Sequence, residues 1–283
     1  MPPSTVDLHS HSTASDGRLA PAELVALAAT EGVEVLGLTD HDTLAGVPEA
    51  QAAGRGLGVR VIAGIEISGR WPDGQCHLLA WLPDPVPEAF LAWTRERSAD
   101  REERARQMVA RLQEAGIAID WEDVAREAHG NIGRPHVADA LIARGAATDR
   151  GDAFTRLVGQ GCPAYIPSGK LEPEEAIGIA VRHGALVSLA HPYSLGLDGD
   201  DLDRAVARFA AAGLGAIEAH RGDQGPAQQA AYAALARRHG LLVTPGSDFH
   251  HAGRAERTLG DDGEPGIAPA DLERLLSRLP GAP

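Results

Sequence analysis

Val6-Asp7-Leu8-His9-Ser10-His11-Ser12 is an apolar run that ends in two histidines one residue apart. Residues i and i+2 of a strand face the same way, so His9 and His11 can grip one ion between them at a strand end. A solvated pair of histidines would read the same in isolation, so the surrounding sequence has to decide between them.

Working outward, apolar runs of similar length recur near Val35-Leu38, Val59-Ile65, His77-Trp81, Ala185-Leu189, Ala216-Glu218 and Leu241-Val243. Alanine-rich helical stretches separate them. Pro21 suits the first turn of one helix, which continues through Ala22–Ala29, and another runs from Gly46 toward Arg55. This βαβ rhythm predicts an α/β protein with a largely parallel sheet. Arg182-His183-Gly184 and Arg238-His239-Gly240 each precede an apolar run and read as helix C-termini, with Gly in the left-handed cap. His183 and His239 are therefore expected to be structural.

The rhythm breaks between Leu91 and Lys170. A charged helix, Thr94 through Glu114, leads into more helical sequence, with Gly116-Ile117-Ala118-Ile119 as the one stretch there that resembles a strand. The expected organisation is a barrel frame of residues 1–90 and 171–283 carrying a helical insertion subdomain at 91–170. Within the charged helix, Arg101-Glu102-Glu103-Arg104 mixes both signs and predicts a solvated salt-bridge face rather than a phosphate-binding surface.

At 283 residues and 43% hydrophobic, the chain can fill a sizeable core. A net charge of -14 argues against broad binding to duplex nucleic acid, which depends on many basic phosphate contacts. No long apolar run or signal-like leader occurs, so a cytoplasmic location with no membrane partner is expected. Cys76 and Cys162 are too few for a disulfide framework and read as reduced, buried small hydrophobes.

Metal-type residues cluster where the predicted strands run out. His9, His11 and Asp16 follow the first; Asp40-His41-Asp42 the second; Glu66 the third; His77 begins the next apolar run. Later, Ala190-His191-Pro192 and Ser247-Asp248-Phe249-His250 follow two more. In a parallel barrel such ends converge on one face. Histidines and carboxylates without cysteine suit Mn²⁺, Zn²⁺ or Fe²⁺.

Asp7-Leu8-His9-Ser10-His11-Ser12, Ser15-Asp16-Gly17, Thr39-Asp40-His41-Asp42, Gly64-Ile65-Glu66, His77, Ala190-His191-Pro192 and Gly246-Ser247-Asp248-Phe249-His250 together resemble the motifs of the polymerase and histidinol phosphatase (PHP) family. The resemblance implies a distorted (β/α)7 barrel with three divalent metals, most simply Mn²⁺, at its mouth. By position, it implies that His9, His11, Glu66 and Asp248 hold the first and that Glu66 bridges to a second held by His77 and His191. Asp16, His41 and His250 would hold the third, with Asp40 and Asp42 orienting ligands from behind.

Within the insertion, Asn131-Ile132-Gly133-Arg134-Pro135-His136 and Gly161-Cys162-Pro163-Ala164-Tyr165-Ile166-Pro167 resemble the branch of bacterial nucleoside 3′,5′-bisphosphate phosphatases and 5′-to-3′ exoribonucleases. That resemblance implies that Arg134 and His136 clamp phosphate and that Asp248 accepts a proton from the attacking water. The implied activity is removal of the 3′-phosphate from a nucleoside 3′,5′-bisphosphate, with trimming of short 5′-phosphorylated RNA as its extension. Histidinol phosphate hydrolysis and a metal-dependent amidohydrolase reaction are the alternatives, and no obligate protein partner is implied. Lys170 and Arg221 are further candidates for a second phosphate and His220 for the pocket wall, while His129 and His251 read as peripheral.

Overall fold

Seven strands, β1 (Val6–Ser10), β2 (Val35–Leu38), β3 (Arg60–Gly69), β4 (Cys76–Trp81), β5 (Leu186–Leu189), β6 (Ala216–His220) and β7 (Leu242–Pro245), pair in chain order in one sheet. The computed structural model describes residues 5–71, 75–128, 130–167, 171–251 and 258–280. The two edges of the sheet nearly meet: His11 N–H donates to Phe249 O at 2.9 Å and Asp248 N–H to His9 O at 2.8 Å. The result is a distorted, nearly closed seven-stranded barrel. Every residue of β1 is buried, as expected where a sheet is covered on both faces.

The helices are α1 (Pro21–Thr30), α2 (Val47–Leu57), α3 (Glu88–Glu114), α4 (Trp121–Glu127), α5 (Arg134–Ala143), α6 (Arg150–Ala153), α7 (Pro173–Arg182), α8 (Gly199–Ala212), α9 (Pro226–Arg238) and α10 (Pro269–Leu276). Proline opens α1, α7, α9 and α10, where its missing N–H goes unused. As expected, His183 and His239 lie just past α7 and α9. They are tied to Ile179 O at 2.8 Å and Asp203 Oδ1 at 3.1 Å.

The sheet departs from the expected largely parallel order at β4, which runs antiparallel to both β3 and β5. Only six residues, 70–75, join β3 to β4, too few for a crossover helix. The reversal has a consequence for the site. The start of β4, rather than its end, lies at the barrel mouth, and that start carries His77.

The helical insertion packs around an apolar cluster of its own, including Met108, Val109, Leu112, Val124, Val137, Leu141 and Val158. Helix α3 belongs to both parts, because Phe90 in its first turn is in the barrel core and Met108 is in the insertion core. Gly116–Ile119 forms a loop and not a strand: the Ile119 carbonyl is taken by Gln113 Nε2 at 2.8 Å, and its side chain fills the insertion core. Two ties hold the insertion against the barrel mouth near residue 131. Asn131 Nδ2 donates to His41 O at 2.6 Å, and Asn131 N–H donates to Ala14 O at 2.7 Å. The approach is close enough that a Cβ on Gly130 would lie 2.3 Å from Ala14 O, so glycine is required there.

Candidate metal centre

The barrel brings all nine sequence-predicted ligands, His9, His11, Asp16, His41, Glu66, His77, His191, Asp248 and His250, to one mouth. Glu66, near the middle of β3, is the hub. Its Oε2 lies 3.4 Å from His9 Nε2, 3.2 Å from His11 Nε2 and 3.0 Å from His41 Nδ1. Its Oε1 lies 2.7 Å from His77 Nδ1 and 3.0 Å from His191 Nε2, and these two ring nitrogens are 3.3 Å apart. Asp248 Oδ1 sits 3.3 Å from both His9 Nε2 and His11 Nε2. Asp16 reaches His250 Nε2 at 3.4 Å and His41 Nε2 at 3.9 Å.

Three groupings have donor atoms spaced closely enough to hold a cation: His9–His11–Glu66–Asp248, His11–Asp16–His41–His250 and His41–Glu66–His77. His9 Nε2, His11 Nε2, His41 Nδ1 and Glu66 Oε2 are buried without a hydrogen bond, although unsatisfied buried polar atoms are costly. Four such atoms facing one another fit a site whose remaining partner is a cation.

Electrostatics carry the same mark. Burial works to lower the His9 pKa, but Glu218, Asp248 and Glu66 outweigh it and lift it to about 10. Burial pushes His41 down to about 3, with Glu66 and Asp16 offsetting only part of that. Burial opposes ionisation of Glu66, Asp16 and Asp248, yet the histidines around them hold all three well below the usual carboxylate range. Neighbouring rings pulled in opposite directions belong to a crowded carboxylate–imidazole cage, in which ligation requires neutral imidazole.

The carboxylates behind the ligands are arranged differently from expectation. Asp40 accepts from Ser12 N–H, Ser12 Oγ and Ser15 Oγ, at 2.8, 2.7 and 2.6 Å, so it shapes the loop after β1 rather than orienting a histidine directly. Asp42 accepts from Ser68 N–H at 3.1 Å and is ion-paired to Arg101 of α3. The carboxylate that does orient a ligand is Glu218 of β6, whose Oε1 lies 2.8 Å from His9 Nδ1. Sequence reading passed over it. The one available signal was a charged residue following an apolar pair inside a short strand.

Beyond the mouth lies a cavity of about 330 Å³, bounded by Asp16, His41 and His77 at the barrel and by α3 and the start of α5 opposite. Arg97, Arg101 and Arg104 share one face of α3 and line it together with Arg134. This corrects the reading of Arg101-Glu102-Glu103-Arg104 as a solvated face. Glu102 does pair outward with Arg106, at 2.7 Å, but the arginines at 101 and 104 turn inward. Arg101 is spent on Asp42 and on Ile132 O. Arg104 and Arg134 have no carboxylate partner among the described residues. Burial and the adjacent Arg134 and Arg101 push the Arg104 pKa down to about 10. Like charges held together partly out of water mark a site that an anion would stabilise. Phe154 and Tyr165 flank the Arg134 guanidinium, at 5.5 and 5.8 Å from ring centre to Cζ.

The other predicted residues separate cleanly. His136 is buried and turned to its own helix: its Nδ1 accepts Gly133 N–H at 3.0 Å, steadying the turn that carries Arg134, and it is off the cavity wall. Arg221 is fully buried against Glu218, Asp223 and Asp248, so it is not available to a substrate phosphate. His220 is held by Gln229 Oε1 at 3.0 Å and is also off the cavity wall. Lys170 and His129 lie outside the described residues. Both cysteines are free, Cys76 buried and Cys162 only partly so. No helix among the described residues is long and apolar enough to cross a membrane.

Comparison with known proteins places this geometry among relatives. The PHP domain family matches residues 7–92. A 3′,5′-nucleoside bisphosphate phosphatase of Chromobacterium violaceum is 35% identical over 257 residues, 90% of each chain. The 5′-3′ exoribonuclease Rnm of Salmonella typhimurium is 38% identical over 250 residues, 86% of this chain and 84% of that one. A solved structure from Bifidobacterium adolescentis, described as a metal-dependent phosphoesterase, superposes with a TM-score of 0.83 at 33% identity, covering 96% of both chains.

Proposed function

The chain belongs to the PHP family of metal-dependent phosphoesterases, and we propose that within it this protein removes the 3′-phosphate from nucleoside 3′,5′-bisphosphates and trims short 5′-phosphorylated RNA from its 5′ end. The observation that carries this reading is one cavity with two chemically different ends. The cation-type cluster closes one end, and the Arg104 and Arg134 guanidiniums, which have no carboxylate partner among the described residues, line the other. A substrate with one phosphate at each end satisfies both. A cavity of about 330 Å³ is within the range that holds a small ligand, and nucleotide-sized substrates suit it better than a duplex.

We assign three divalent cations, Mn²⁺ in the first instance, to His9, His11, Glu66 and Asp248; to Glu66, His77 and His191; and to Asp16, His41 and His250. Bound there, such ions would make hydroxide available near neutral pH and would neutralise charge on the phosphoryl oxygens. The chain's own residues do the rest. Arg134 and Arg104 fork onto the distant phosphate, and its binding energy aligns the reacting one. His136 holds the first turn of α5 and with it the angle at which Arg134 enters. To Asp248, whose carboxyl pKa burial would raise but the surrounding histidines hold well below the usual carboxylate range, we assign a ligand role as a carboxylate, with acceptance of the attacking water's proton as the role the family resemblance implies.

The test is substrate choice. Adenosine 3′,5′-bisphosphate should give the 5′-monophosphate with kcat/KM at least about tenfold above 3′-AMP, a difference of roughly 1.4 kcal/mol in transition-state binding. Equal or better turnover of histidinol phosphate would sink the assignment. Release of ammonia from amide substrates in place of phosphate would move the protein to a different reaction class altogether.

A further inference from the structure

Every barrel strand except β6 delivers a candidate ligand at or beyond the mouth: His9 and His11 from β1, His41 after β2, Glu66 and His77 in β3 and β4, His191 after β5, and Asp248 and His250 after β7. The end of β6 is charged and fully buried nonetheless. Glu218 and, just beyond the strand, Arg221 have no side-chain exposure. Two ions taken out of water need specific partners, and theirs are the neighbours of the metal centre.

Glu218 Oε1 is 2.8 Å from His9 Nδ1, while its Oε2 accepts the His191 backbone N–H at 2.7 Å and Arg221 Nη1 at 2.9 Å. Arg221 extends the chain, from Nη2 to Asp248 Oδ2 at 3.4 Å, with Asp223 bracing it through Nε and Nη2 at 2.9 and 3.0 Å. Two of the residues so held, His191 and Asp248, have left-handed backbones, with φ of +25° and +53°, which side chains other than glycine rarely adopt. The packing leaves no slack: a Cβ on Gly246 would fall 2.4 Å from Glu218 Oε1 and 2.6 Å from His9 Cβ.

We propose that Glu218 and Arg221 are positioning residues that set the geometry of the metal centre from the one strand that supplies no ligand. With its Nδ1 facing a carboxylate, His9 keeps a hydrogen there and presents Nε2 toward Glu66 and Asp248. With Oδ2 turned to Arg221, Asp248 presents Oδ1 toward His9 and His11. Glu218 thus fixes one ligand's tautomer and another's backbone, and Arg221 selects which oxygen a third ligand offers.

The inference rests on the metal-dependent reading, and metal uptake by the wild-type protein at buffered free Mn²⁺ and Zn²⁺ tests that reading by itself. The ratio between variant and wild type tests the inference. Glu218→Gln should bind metal about 10- to 100-fold more weakly. The His9 Nδ1–H resonance of the zinc-loaded protein should shift or vanish, and kcat should fall with KM little changed. Arg221→Lys keeps the charge but not the fork, and should show a smaller loss of the same kind. Melting of the metal-free proteins supplies the structural control. Wild-type affinity and an unshifted His9 resonance in Glu218→Gln would overturn the inference. So would a loss of affinity matched by unfolding of metal-free Glu218→Gln, if Arg221→Lys then bound metal normally.

Discussion

The barrel mouth and the insertion wall face each other across one cavity and are built on opposite electrostatic terms. At the mouth, carboxylates and imidazoles from six strands and the loops after them are crowded around Glu66, and four buried polar atoms lack a hydrogen bond. On the wall, Arg104 and Arg134 lie half out of water with no carboxylate partner among the described residues, and Arg104 is pushed down to about 10 by burial and its cationic neighbours. One side is arranged for cations and the other for an anion. On the proposed function, a molecule carrying phosphate at both ends meets complementary charge at each, which neither half could supply alone.

The largest effect that would break this comparison belongs to the mouth. Glu66→Ala removes the carboxylate shared by five histidines. It should lower kcat by at least about 1,000-fold, roughly 4 kcal/mol, with loss of metal by elemental analysis. Full activity in metal-free Glu66→Ala protein would end the metal-centre assignment.

Next comes the seam between the two regions, the buried Asp42–Arg101 pair. Asp42→Asn leaves Arg101 without its carboxylate and should cost about 3 kcal/mol at neutral pH. Burial alone would raise the Asp42 pKa, but Arg101 holds it below its ordinary value of 3.8. Its stabilisation is therefore present above about pH 4 and is lost as pH falls through the depressed folded value. Denaturant unfolding of metal-free protein should show the gap between wild type and Asp42→Asn narrowing below pH 4. A gap that widens there would refute the pairing.

The wall should respond in function and not in stability. Arg104→Met is expected to lower kcat/KM for adenosine 3′,5′-bisphosphate by about 10- to 30-fold, roughly 1.4–2 kcal/mol. The same change should barely affect 3′-AMP, leave metal content intact and, by relieving repulsion with Arg134, leave the melting temperature unchanged or higher. Arg134→Lys should behave similarly, since a point charge cannot reproduce the fork. Equal losses on both substrates would remove the second phosphate from this wall.

The smallest effect sharpens the contrast along a single helix. Arg106, two residues beyond Arg104, faces outward over the Trp121 ring, with its guanidinium carbon 3.8 Å from the ring centre. Arg106→Ala should cost about 0.5–1 kcal/mol of stability and leave kinetics on both substrates at wild-type values.

The mouth was far more legible in the sequence than the wall. Histidine and carboxylate at the end of apolar runs is an uncommon pattern with few structural explanations, so His9, His11, Glu66, His191 and Asp248 stood out one strand at a time. Arg101-Glu102-Glu103-Arg104 offered no such contrast, because mixed signs on a helix are the ordinary signature of a solvated face. Which of its residues turn inward depends on what packs against α3, and the partner arrives more than 25 residues later with Arg134. Glu218 was hidden for the converse reason, and Arg221, just past it, stood out only as a candidate for a substrate phosphate. The apolar context of β6 reads as core, and only the fold shows that this core ends against His9, His191 and Asp248.

By itself the sequence determined the seven-stranded alternation, the helical insertion and the identities of the residues gathered at the mouth, because hydrophobic periodicity and residue chemistry are local properties. Tertiary structure decided the rest. It reversed β4 so that its first residues, His77 among them, meet the ends of the other strands, and it paired Asp42 with Arg101 across the seam. It set Arg104 beside Arg134 and brought Glu218 behind His9. Each of these is a contact between segments far apart in the chain, where charge, burial and orientation are set by a neighbour that no local pattern names.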